Sequence, residues 1–195
     1  MTWSIRRAVE EDSPSLAVVE LLTAPEFANF LLEGMFGDAS VGAILSWRYR
    51  QGGVDSTEWS WVAENEGDVV AAMGAYPVAL SRAEQDIDSG EANERNAHFL
   101  PLRPLMRDDA FHIARLGVLV QARRLGIARG LVATAEAAAR DAELSLLTLI
   151  VWADNDAALK LYDALGFVEK DSAEIAAHPR LERHGKMLLL GKDLV

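Results

Sequence analysis

Arg123-Arg124-Leu125-Gly126-Ile127-Ala128-Arg129-Gly130 interleaves three cations with small residues, and that mixture suits an anion. Upstream, the ten residues from Phe111 to Val120 form an apolar run short enough for one strand. Downstream, Leu131, Val132, Ala135, Ala138 and Ala139 recur at helical spacing in an alanine-rich segment. A buried strand therefore enters a tight basic turn, and the turn opens a helix. The first turn of a helix leaves backbone N–H groups unpaired at its electropositive end. Small residues at Gly126 and Ala128 let an anion reach that bare backbone, and a phosphate or pyrophosphate is the natural guest. A solvated basic turn between two core elements would give the same pattern. Two other phosphate loops are excluded, because the chain has neither G-x-x-x-x-G-K-[ST] nor G-x-G-x-x-G with its acidic partner.

Arg123-x-x-Gly126-x-Ala128 resembles the Gln/Arg-x-x-Gly-x-Gly/Ala signature of the GNAT (GCN5-related N-acetyltransferase) superfamily. Downstream, Asn155 to Phe167 is similar to that family's Asn-x-x-Ala-x-x-x-Tyr-x-x-x-Gly-Phe segment. The close resemblance covers about residues 111 to 170, and two motifs in this order are more specific than either alone. It implies that residues Arg123, Arg124, Leu125, Gly126, Ile127, Ala128 and Arg129 cradle the pyrophosphate of acetyl-coenzyme A. It also implies that Leu116, Gly117 and Val118 run along the pantetheine arm, and that Asn155 and Tyr162 complete the donor site. The implied activity is N-acetyl transfer to a primary amine by direct attack in a ternary complex, with acetyl-coenzyme A as co-substrate. A non-catalytic acyl-coenzyme A sensing domain would keep the same turn.

Such a transfer needs a base for the amine, donors for the carbonyl oxygen and an acid for the thiolate. The resemblance places the Tyr162 phenol at the sulfur as acid and offers the backbone N–H near Val118 for the oxyanion. His112 is the candidate base. It lies six residues before Val118, on the same strand face, where the histone-acetylating branch of the superfamily carries a glutamate. An ordinary histidine there would give a turnover limb at roughly pH 6 to 7. The four histidines, with no cysteine, show no spacing for a metal site.

Around these residues the expected class is α/β, a single GNAT-like domain over residues 1–195 with a mixed central sheet flanked by helices. A strand from Trp3, a helix begun by Asp12-Ser13-Pro14 with Ser13 able to cap, and two further helical stretches come first. The resemblance lets Phe27, Phe30, Trp47 and Tyr49 line an acceptor pocket. A hairpin turning at Glu66-Gly67-Asp68 follows, and about residues 81–109 read as a partly helical insertion before the fourth strand. Strands from Ser145, Phe167 and His184 finish the sheet.

Half the 195 residues are hydrophobic and a quarter charged, which is globular composition. Nineteen basic against thirty acidic residues give a net charge of −11, which repels nucleic acid and leans toward cationic acceptors. Without cysteine there is neither a disulfide framework nor thiol catalysis. With no membrane-length apolar run and no signal-peptide core, the expectation is a cytoplasmic protein, with a homodimer left open.

Overall fold

Alternation of apolar residues builds a sheet here, and helical spacing covers it. The computed structural model describes residues 3–87 and 94–194. In chain order it has β1 (Trp3–Arg7), α1 (Ser13–Thr23), α2 (Pro25–Leu32), α3 (Val41–Arg48), β2 (Ser60–Asn65) and β3 (Asp68–Pro77). There follow α4 (Val78–Ile87), α5 (Glu94–His98), β4 (Ala110–Val118), α6 (Ile127–Asp141), β5 (Leu146–Trp152), α7 (Asp156–Asp163), β6 (Val168–Ile175) and β7 (Gly185–Asp193). The seven strands make one mixed sheet in the order β1-β2-β3-β4-β5-β7-β6. β4 and β5 pair in parallel; the register runs from Ala110↔Leu146 to Ile113↔Leu149. This is the expected α/β architecture.

The chain divides into two compact units, residues 1–75 with 114–134 and residues 76–113 with 135–195. In the first, β1, β2 and β3 form an antiparallel meander. Its hairpin turns at Glu66 and Gly67, both at positive φ, as a two-residue hairpin loop demands. Leu16, Ala17 and Val19 of α1, Ala28 of α2 and Leu45 of α3 bury themselves with Val62 and Ala72 of the sheet. Each large aliphatic so buried contributes about 1.5 to 3 kcal/mol. Ser13 does not cap α1. Its hydroxyl donates to the Glu10 carbonyl, and the Asp12 carboxylate takes the Val9 N–H and both ends of the Arg6 guanidinium.

In the second unit, β7 runs between β5 and β6 and pairs antiparallel with both. Phe111, Ile113, Leu147, Leu149 and Leu189 are nearly inaccessible. The expected insertion is helical on either side of residues 88–93, which lie outside the described residues. Its later part folds through α5 and a 3-10 turn, Leu100–Leu105, that packs on β6. Arg82 ties its start to its end through an ion pair with Asp108 and a bond to the Met106 carbonyl. No single helix among the described residues is long and apolar enough to cross a membrane.

Candidate active site

The basic turn belongs to the first unit and is held from several sides. A short 3-10 turn, Val120–Ala122, closes on the Leu119 carbonyl, and the Leu119 N–H donates to Val70 of β3. The Trp3 indole N–H donates to the Leu125 carbonyl at 2.9 Å, so β1 fixes the crest of the turn. Gly130, in the first turn of α6, lets that helix lie against β1; a Cβ there would come within 2.7 Å of the Trp3 ring. Arg124 and Gly126 both sit at positive φ, 66° and 81°. Alternating left-handed residues in such a turn direct successive N–H groups into one concavity.

The first bond of α6 is donated by Gly130 to the Gly126 carbonyl. Among the described residues, the N–H groups from Arg124 to Arg129 donate no hydrogen bond. Gly126 is exposed, and so are Arg123, Arg124 and Arg129. A row of unpaired backbone donors at a helix N-terminus, with three exposed arginines in the same stretch, fits a pyrophosphate.

Upstream on β4, Leu116 and Val118 are half-buried and Gly117 is buried. Gly117 answers a close approach: a Cβ would collide with the Thr23 hydroxyl of α1. Arg115 is a residue the sequence reading passed over. Its guanidinium pairs with Asp55, lies 3.8 Å from Glu20, and stands 5.5 Å from the Tyr49 ring. Tyr49 donates to Glu20 at 2.6 Å, so this aromatic is a core member of the cluster. Burial would raise Asp55, but the charges of Arg115 and Arg48 outweigh it and hold the carboxyl below the ordinary range. Gly74 makes room for the arginine, since a Cβ would fall 2.6 Å from its Nη2. An arginine inside an apolar run was the signal available in the sequence. Phe30 is likewise core, whereas Trp47 is 57% exposed.

His112, Asn155 and Tyr162 belong to the second unit. His112 is 5% exposed, and its Nδ1 lies 3.0 Å from the Thr148 hydroxyl of β5. Burial pushes the imidazole down to about 4, well below the range expected from the sequence. Asn155 caps α7, its side-chain oxygen accepting from Ala158 N–H. Tyr162 lies two turns on, edge to face with Phe167 at 5.5 Å. Burial pushes its phenol up to about 12. Among the described residues its hydroxyl has no hydrogen-bond partner. No three His, Asp or Glu side chains among the described residues converge as a metal site.

Leu116 to Val118 and Arg123 to Arg129 thus lie in the first unit, and His112, Asn155 and Tyr162 in the second. The profile of the acetyltransferase (GNAT) family matches residues 25–167, and the chain belongs to that family of N-acetyltransferases. Members of the family transfer acetyl groups from acetyl-coenzyme A. Solved structures share the fold. An N-acetyltransferase from Staphylococcus aureus Mu50 aligns with a TM-score of 0.69 at 20% identity, over 97% of this chain and all of that one. A polyamine N-acetyltransferase from Drosophila melanogaster, which forms N-acetylagmatine, gives 0.67 at 16% identity, over 99% and 100%. The ribosomal-protein-S18-alanine N-acetyltransferase of Escherichia coli gives 0.62 at 13%, over 99% and 94%. Comparison with curated protein sequences yields no match.

Proposed function

We propose that this protein transfers the acetyl group of acetyl-coenzyme A to a primary amine by direct attack in a ternary complex. The observation that carries the reading is the row of unpaired N–H groups from Arg124 to Arg129, with exposed arginines beside it. This cradle binds the pyrophosphate, and Leu116, Gly117 and Val118 run along the pantetheine arm. The amine nitrogen attacks the thioester carbon, forming the C–N bond. The carbonyl oxygen, becoming anionic, is met by the Val118 N–H. His112, neutral at physiological pH, takes the proton released by the amine. The C–S bond breaks, Tyr162 gives its proton to the departing sulfur, and the phenolate regains a proton from solvent. No covalent enzyme intermediate is needed, which suits a chain without cysteine.

The net charge of −11 favours an acceptor that arrives as a cation. Incubation with acetyl-coenzyme A and a panel of primary amines, read as thiol release, tests the proposal. Turnover of at least one amine is expected. Tight coenzyme A binding with no turnover across the panel would make the protein a sensor instead.

A further inference from the structure

β5 carries one hydroxyl in an otherwise apolar run, and the register sets it directly beside the candidate base, Thr148 opposite His112. Thr148 is 1% exposed, so its hydroxyl must find partners inside the protein. Its oxygen lies 3.0 Å from His112 Nδ1 and 3.5 Å from the Phe111 carbonyl oxygen. A threonine hydroxyl has one proton to give, and a carbonyl can only accept. With that proton turned to Phe111, the oxygen is left to accept from Nδ1–H, and both polar groups are satisfied. The other ring nitrogen then holds the lone pair. His112 Nε2 forms no hydrogen bond among the described residues. The Tyr76 ring, 6.3 Å away and tilted by 55°, packs beside the imidazole.

We propose that Thr148 is a positioning residue that holds neutral His112 in the Nδ1–H tautomer, so that Nε2 offers its lone pair to the acceptor amine. The proposal rests on the reading of His112 as the base. Which nitrogen of an imidazole carries the proton is set by the hydrogen bond the other one makes. As the amine nitrogen bonds to the thioester carbon it becomes an ammonium, and Nε2 takes one proton from it. Throughout, Nδ1–H keeps its donation to Thr148, whose oxygen lies where the imidazolium charge develops. The proton on Nε2 later returns to solvent, which restores the lone pair. Without the hydroxyl the ring populates both tautomers, and in one of them a hydrogen faces the amine where a lone pair is needed.

Two measurements on the intact protein test this. Nitrogen NMR of histidine-labelled protein at pH 7.5, with His112 assigned by its loss in His112→Gln, should show Nδ1 protonated and Nε2 bare. In Thr148→Val the signal should move to a tautomer mixture. Turnover should fall about tenfold at unchanged KM for donor and acceptor, as expected when an interaction serves the transition state alone. Thr148→Ser, which keeps the hydroxyl, should restore both tautomer and turnover. A wild-type His112 carrying its proton on Nε2 overturns the proposal. So does a folded Thr148→Val that retains tautomer and turnover. If the valine variant does not fold, the wild-type and serine spectra decide. Should no amine be turned over, the spectra still judge the tautomer, and the failure belongs to the proposed transfer.

Discussion

Acidification should weaken this protein through His112 before it touches the carboxylates. The imidazole is held down to about 4 by burial, against 6.5 for an ordinary histidine. The unfolded chain therefore takes up a proton that the folded chain refuses across that window. Above pH 6.5 neither state is protonated and the group has no effect. As pH falls toward 4 the unfolded state gains the advantage, and below 4 the loss is complete. The difference of 2.5 units corresponds to about 3 kcal/mol in full, and to about 2 kcal/mol between pH 7 and 4.5. The Asp12 and Asp55 carboxylates are lowered from 3.8, so their contributions vanish only below that value. His112→Phe removes the titration and keeps a ring, at a constant cost for the lost Thr148 bond. Urea unfolding of both proteins at pH 7 and 4.5 isolates the effect. The stability advantage of wild type over the variant should shrink by about 2 kcal/mol, a relative midpoint shift of roughly 4 to 8 °C on heating. A constant difference would mean that the ring is hydrated in the native state. The low-pH limb of turnover should then return to pH 6 to 7, where the sequence alone puts it.

Gly126→Val should reduce donor affinity at least tenfold, about 1.4 kcal/mol, because a β-branched residue strains a backbone at φ 81° that no neighbour crowds; calorimetry with coenzyme A measures it. Gly130→Val drives a side chain into the Trp3 ring and should cost about 1 to 3 kcal/mol of stability, read from the urea midpoint. Tyr162→Phe keeps the contact with Phe167 and removes only the hydroxyl. Turnover should fall roughly 10- to 1000-fold with donor affinity unchanged, and a value within twofold of wild type would make Tyr162 a packing residue.

The sheet and most helices were legible because they rest on local pattern. The Glu66-Gly67 hairpin, the α6 periodicity and the Asn155 cap each lie within a dozen residues of chain. What escaped depends on partners far away in sequence. Thr148 looks like a strand-forming residue until the register sets it beside His112. Arg115 looks like a surface cation until Gly74, Glu20 and Asp55 close around it. The same reason moved Tyr49 and Phe30 from a supposed pocket wall into the core. His112 is legible as a candidate by its type and strand face, but its proton affinity is not. Affinity follows burial, and burial is a property of the folded whole.

Burial moves the two acid–base candidates in opposite directions, because it favours the neutral form of each. The charged form is penalised in both, so a base descends to about 4 and a phenol ascends to about 12. Between those values His112 is neutral and can accept, while Tyr162 is neutral and can donate. Groups left at their ordinary values would hold these states over a narrower range, bounded by histidine near 6.5 and tyrosine near 10. The cost is driving force. An imidazole this weak cannot strip a free ammonium, whose proton is held at roughly 10 like that of lysine. It can relieve the ammonium formed on attack, where the neighbouring carbonyl carbon has drawn off electron density. Proton transfer is then tied to C–N bond formation, and an acceptor arriving as a cation must shed one proton to solvent before it reacts. Turnover at subsaturating acceptor should therefore rise with pH through the acceptor's own pKa, and the rising limb should shift when amines of different basicity are compared. A limb that stays fixed across such a series, and disappears in His112→Ala, would instead belong to the enzyme and would return His112 to the ordinary histidine range.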